Sequence, residues 1–407
     1  MSLPVGTAVS RPVAFAILAL VMAGCGGNTG LSPANTPSAL AGSSSRPTDA
    51  PPAPTAAPSG VGGVIKQDCS GNFSFDRRVL ALGSLDPAPP TFSLPPIALL
   101  DVTNPASPQQ LCTYALRAQA RLIGSSQLGY AAFAPNAGNP SDGEIGTFDI
   151  PSAAYHTVIR WQNGGFGAGT FAWSSNGSLA YILATAGTQN LTAAGSWELH
   201  LLQQRKDRIL TTLPGVGGRG IGENDDTFLA FSADGKYLAL ETTFTGPSQV
   251  RAAADGSLMR ELPQGSTMAV WAANSLFYRD QAGVHRWDAS GTTSLVLPGV
   301  SWIHPRVSPD GKWIAYTVRD STGLPRVNVY SVSVGSGFPV SSAGRDGAIF
   351  LSPTVLWERE EQLCSSDDPC GMVPSAPTGV TFTYDVTTRR ETRSAMTYVA
   401  DVWPRMD

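Results

Sequence analysis

The chain has 407 residues, 42% hydrophobic and only 14% charged, which gives ample material for a core and excludes a wholly disordered chain. Net charge is −4 and no block of Lys or Arg occurs, which excludes the phosphate-neutralising surface of a nucleic-acid binder and an electrostatic membrane patch. With 43 Gly and 32 Pro, turns are frequent, and many short elements are expected rather than a few long ones.

The first element is a leader. Arg11 precedes an apolar run from Val13 to Ala23, far short of the about 20 residues a spanning helix needs. A positive start, a short apolar stretch and small residues at its end are the pattern of an export signal. The "VMAGC" that follows resembles the lipobox of bacterial lipoproteins. That resemblance implies cleavage after residue 24, lipidation of Cys25, and a bacterial cell-envelope location, periplasmic or outer surface. The lipid is then the only membrane attachment. Residues 25–62 are Pro, Ser, Ala, Thr and Gly with almost no large apolar side chains. They are expected to stay disordered and act as a tether. A folded domain is expected over 63–407.

Four cysteines are left in that domain, an even number that suits disulfides in an exported chain. Of the three pairings they allow, Cys364–Cys370 across "CSSDDPC" with Cys69–Cys112 is preferred on spacing. No CxxC pair or clustered histidine accompanies them, so no metal and no cofactor is expected.

A repeat then runs through the domain. "SPDGKWIAYTV" places Pro309 and Asp310 at the centre of a turn and Gly311 where a left-handed residue closes a hairpin, with a strand from Trp313. "TFLAFSADGKYLALETTF" repeats the design around Asp234 and Gly235, and "TFAWSSNGSLAYIL" repeats it, one residue shorter, around Asn176 and Gly177. "AVWAANSLFYRD" is a degenerate copy around Asn274 and Ser275. A second phrase, a short strand ending in a polar turn, recurs with markers at Asp101, Asp149, His200, Ala253, Asp288, Ser331 and Asp385. Seven copies, without long helical patterns between them, predict an all-β chain. The fold is a β-propeller of seven four-stranded blades, with six or eight as the alternatives. Many strands are apolar on both faces, as stacked blades require. "AMTYVADVW" near the C-terminus and the stretch near Ile65 both read as strands, so one end of the chain is expected to complete a blade built from the other.

The two sharp phrases, "FSADGKYLAL" and "VSPDGKWIAY", resemble the Asp-Gly-Lys repeat of TolB-type, WD-like β-propellers, and Trp287-Asp288 resembles the WD dipeptide. The resemblance implies the fold. It does not carry over a role, because TolB has an α/β domain before a six-bladed propeller, where this chain has a tether.

The chemical motifs are weak. "GVGGRG" at 215–220 satisfies G-x-G-x-x-G but leads into a strand rather than a helix, so it reads as an interblade loop. There is no G-x-S-x-G elbow and no Ser-His-Asp set. Two loops are the best candidates for a binding face. The 215–226 loop carries Arg219, Glu223, Asp225 and Asp226, and the connection from Glu358 to Pro377 carries Asp367 and Asp368. The reading is a lipid-anchored extracytoplasmic propeller that binds a protein or envelope polymer without catalysis. The alternatives are a propeller enzyme acting on a polysaccharide or small alcohol, marked by carboxylates, His and Arg at the channel mouth, and a structural envelope component.

Overall fold

The computed structural model describes residues 65–69, 73–86, 97–116, 119–133, 143–161, 171–184, 196–214, 229–241, 248–341, 344–364 and 374–403. All of them fall in one compact unit, Ala57–Asp407. The leader, Cys25, the tether, Arg219, Glu223, Asp225, Asp226, Asp367, Asp368 and Cys370 lie outside the described residues.

The Asp-Gly-Lys phrase is a hairpin, held by its own side chains. Ser308 Oγ donates to Asp310 Oδ1 at 2.7 Å and accepts from the Trp313 amide at 3.0 Å, while the Lys312 amide donates to Asp310 Oδ1 at 3.2 Å. Gly311 takes φ +68° and returns its amide to the Ser308 carbonyl at 2.8 Å. A short acceptor side chain and a glycine are the residue types this bend requires. Ser232, Asp234 and Gly235 build the same network, with bonds of 2.7, 3.0 and 3.1 Å and φ +66° at the glycine. Around Asn176 and Gly177 the loop closes one residue earlier, on the Ser178 amide. In the degenerate copy the left-handed residue is Ala273 at φ +53°, and Ser275 already opens the next strand, so the turn sits one position before the expected one.

Every hairpin of this kind joins the first and second strands of an antiparallel four-stranded sheet, and six such sheets with one of five strands form the propeller. Blade 2 comprises Gln119–Gly124, Gln127–Phe133, Gly143–Asp149 and Ala154–Trp161, and blade 3 comprises Phe171–Trp173, Leu179–Ala184, Ser196–Gln203 and Lys206–Pro214. Blade 4 is Leu229–Phe231, Tyr237–Leu240, Gln249–Ala252 and Leu258–Glu261, and blade 5 is Thr267–Ala272, Ser275–Asp280, Gly283–Asp288 and Thr293–Pro298. Blade 6 is Ile303–Val307, Trp313–Arg319, Pro325–Ser331 and Ser336–Pro339, and blade 7 is Arg345–Phe350, Val355–Leu363, Ser375–Asp385 and Arg390–Arg393. Among the described residues there is no helix. The seven sequence markers all lie on, or one residue beyond, the third strand of a blade.

Blade 1 is assembled from both ends of the domain. Tyr398–Trp403 is its innermost strand, paired to Leu80–Ser84, and Ile97–Asp101 and Gln109–Leu116 follow outward. Ile65–Cys69 adds a fifth strand at the outer edge, where Cys69 faces Cys112 and is bonded to it. The Tyr155 hydroxyl of blade 2 donates to the Ile65 carbonyl and accepts from the Ile65 amide, holding the same strand from the side. Cys364 is also in a disulfide. The expected connection from Glu358 to Pro377 is shorter than the sequence suggested. Val355–Leu363 and Ser375–Asp385 extend as paired strands well into it, because the charges of "EREEQ" meet partners along the ladder.

The first strands of successive blades are neighbours around a common axis, and the ring closes where Arg345–Phe350 meets Tyr398–Trp403 and that strand meets Gln119–Gly124. Between blades the packing is apolar with a few directed bonds. Trp271 Nε1 donates to the Ala230 carbonyl of blade 4 at 3.0 Å, Trp302 Nε1 to the Met268 carbonyl of blade 5 at 3.1 Å, and Trp357 Nε1 to the Met396 carbonyl at 3.0 Å. All three indoles are buried. A buried Trp needs a partner for its N–H, and a neighbouring blade's carbonyl supplies it here. Carboxylates act likewise: Glu241 accepts the Ala269 amide at 3.0 Å and Asp401 the Leu122 amide at 2.7 Å.

Candidate functional site

Antiparallel order puts the first-to-second and third-to-fourth hairpins on one face of the propeller. The second-to-third and interblade connections lie on the other. The hairpin face is built of short turns packed on one another: a Cβ at Gly235 would meet Asn176 Nδ2 at 3.3 Å, and one at Gly311 would meet the Ala273 amide at 3.0 Å. Asn176, Gly177, Asp234, Gly235, Asp310 and Gly311 all belong to it and are occupied in shaping it. The described strand ends at Phe133, Ala184, Pro214 and Leu363 lie on the opposite face. The candidate residues of the two binding loops, which follow Pro214 and Cys364, lie outside the described residues.

On that opposite face, near the axis, the structure gathers a polar group that the sequence did not reveal. Blades 5, 6 and 7 each carry a bulge near the start of the first strand, marked by a left-handed residue: Met268 at +55°, His304 at +50° and Gly347 at +66°. A bulge inserts one residue and re-aims the side chains around it. In blade 6 it turns His304 toward blade 7, where its Nδ1 lies 3.3 Å from Asp346 Oδ1. Asp346 also accepts from Thr317 Oγ1 at 2.8 Å and from Arg359 Nη2 at 3.3 Å. Arg359 Nε donates in turn to Glu361 Oε1 at 3.0 Å.

The carboxylates of this group are interior and its cations face out. The side chains of Asp346 and Glu361 are each 4% exposed, whereas His304 and Arg359 are 35% and 37% exposed. Burial by itself raises the pKa of Asp346. The His304 contact, the Arg359 charge and the Gly347 amide outweigh burial and hold the carboxyl well below the usual carboxylate range. Asp346 is therefore a fixed anion that orients an imidazole and a guanidinium, leaving His304 Nε2 and part of Arg359 toward solvent. A second polar group, Tyr181, Glu198, His200 and Asp207, lies within blade 3. There Tyr181 stacks on His200 at 4.8 Å and donates to Asp207 at 2.9 Å. Among the described residues no set of three or more His, Cys, Asp or Glu is arranged to hold a metal ion. None of their helices is long and apolar enough to cross a membrane.

The described strands define a seven-bladed β-propeller. No family model and no curated protein matches the chain. Among solved structures it is similar to TolB from Acinetobacter baumannii, with 16% identity over 66% of this chain and 65% of that one, at a TM-score of 0.40. It is similar to the β-propeller domain of the Trilobed protease from Pyrococcus furiosus, with 11% identity over 68% and 81%, at 0.45. One of two prolyl endopeptidases matches with 11% identity over 81% and 51%, at 0.49. The chain thus spans about two thirds of TolB and about half of that peptidase. At these identities the likeness is one of fold.

Proposed function

We propose that the protein is a lipid-anchored extracytoplasmic propeller that binds a protein or cell-envelope polymer at the face bearing His304 and Arg359, without chemistry. The observation that carries this is the Asp346 network. A general base works best with its pKa near the working pH. The contacts of Asp346 hold it far below that, which suits keeping an imidazole and a guanidinium still for a ligand. Pre-oriented polar groups on a ring of rigid strands lower the ordering cost of binding. The anchor and the envelope location rest on "VMAGC" and Cys25, and the tether on the composition of residues 25–62.

Photo-cross-linking in intact cells tests the binding face. A cross-linker at Arg359 is compared with one at exposed Ser290 on the hairpin face. Adducts from position 359 alone are expected. Equal adducts from both positions, or none from either, overturn the assignment. Mass spectrometry of the mature N-terminus tests the anchor, and an unmodified Cys25 there excludes it.

One observation favours the enzymatic alternative. His304 offers Nε2 to solvent while Nδ1 faces a carboxylate, an arrangement that also orients a general base. Turnover of a polysaccharide or small alcohol that is lost in His304→Asn would replace the binding reading.

A further inference from the structure

The seven blades share a position at which one differs. Two residues after the first buried apolar residue of each second strand, a side chain enters the interblade core. It is Tyr130, Tyr181, Tyr278 or Tyr316 in four blades and Leu82 or Leu240 in two, all of them buried. In blades 5 and 6 this residue stands opposite the first-strand bulge. In blade 7 the residue opposite the bulge is Glu358.

Glu358 is fully buried, and neither of its oxygens accepts a hydrogen bond. Its neighbours explain why a carboxylate is poorly served there. Arg345, from the first strand of blade 7, is 3.5 Å away, too far and too engaged to satisfy it. That guanidinium already bonds Glu391 at 3.1 and 3.2 Å, Glu360 at 3.3 Å and the Gly344 carbonyl at 2.9 Å, and it lies 4.0 Å from the Phe382 ring centroid. One cation is thus shared among Glu358 of the second strand, Glu360 beside it, and Glu391 of the fourth. The third strand contributes Tyr384, within electrostatic reach of Glu358 and Arg389. Among the described residues, the side of blade 6 packed into this core supplies Ala315, Val327, Val329 and Val340.

We propose that Glu358 is a proton-binding site: the folded protein holds it as the neutral acid, donating its proton toward Glu391, and its ionisation loosens blade 7 from blade 6. A neutral acid is one short donor among apolar side chains, a role close to that of the tyrosines at the same position. An ionised one is a buried charge whose one nearby cation, Arg345, is already committed to other acceptors. Burial drives this carboxyl well above its ordinary 4.5. Arg345 pulls it back, while Glu391 pushes it up again, by its charge and as acceptor of a bond that only the protonated acid can donate. A carboxyl raised on folding contributes fully below its unfolded value. That contribution is lost as pH rises through the folded value, by about tenfold in the folding constant per pH unit between the two. The inference is independent of the ligand proposed above.

The test is urea unfolding of the full chain across about pH 5 to 9, wild type against Glu358→Gln, the uncharged isostere. Wild type is expected to lose stability toward alkaline pH along a slope that the variant lacks. Parallel profiles overturn the proposal. If Glu358→Gln does not fold, infrared titration of the wild type decides. A protonated-carboxyl band present at neutral pH and bleached by alkali supports the site, and no such band overturns it.

Discussion

Blades 1 and 6 reach the same four-stranded sheet by opposite routes. Blade 6 is one uninterrupted run of chain, and its first hairpin is closed by Ser308, Asp310 and Gly311 within a few residues of one another. Blade 1 joins residues more than 300 positions apart: the Thr397 amide and hydroxyl both donate to the Ser84 carbonyl, at 2.9 and 3.1 Å. It also adds a fifth strand and a disulfide. Local blades can draw on turn chemistry, whereas the closing blade must first offset the entropy of joining distant ends. Its fifth strand and disulfide reinforce the outer edge, across 43 residues, while the long-range closure at the inner edge rests on strand pairing and the Thr397 bonds.

Deleting residues 395–407 should do the most damage. Blade 1 then loses its inner strand, with buried Met396, Val399 and Val402 and the Asp401 bond to blade 2. At about 2–5 kcal/mol for each large buried side chain, cooperative urea unfolding should disappear. Next, Trp302→Ala empties a fully buried site between blades 5 and 6 and should cost about 3–5 kcal/mol by the same measurement. Replacing Cys69 and Cys112 together by Ser should cost about 2–4 kcal/mol. If blade 1 closes as described, hydrogen exchange should rise first in residues 65–69.

Three smaller effects arise in the contiguous blades. Asp346→Asn weakens the bond network between blades 6 and 7, by about 1–3 kcal/mol at neutral pH. Because the native carboxyl is depressed, its contribution is present above its ordinary 3.8 and is lost as pH falls through the folded value. Acid unfolding of the variant should therefore be flatter than that of the wild type. Gly311→Ala should cost about 1–2 kcal/mol, since its Cβ also meets the Ala273 backbone. Gly177→Ala, with the same left-handed backbone and open space, should cost the smaller end of that range.

The architecture was legible because its signals are local. A glycine after Asp310 or Asp234 announces a left-handed turn, and seven polar strand ends announce seven third strands. The terminal strand was readable from "AMTYVADVW". The axial group was not, since His304, Thr317, Asp346 and Arg359 sit on different strands of two blades and meet only through a bulge. Nothing in "WIHPRV" announces a left-handed histidine. The run "EREEQ" misled in another way. It reads as the start of a long connection, yet Glu358 and Glu361 are buried in a strand, Glu361 because Arg359 bonds it from the same ladder. Paired charge inside a sheet looks, in one dimension, like a surface.

The outer strand of blade 1 also has a mechanical meaning. Tension on the chain ahead of Ile65 peels that strand from its Ile65–Leu116 end, one backbone pair at a time, until it reaches Cys69. There the covalent bond passes the load sideways to Cys112 on the neighbouring strand, and the sheet is pulled at its rim. Without the bond, the same force would run along the chain to Leu80–Ser84, the strand that holds the closing strand in place. The staple thus lets a sacrificial edge yield while the ring stays shut.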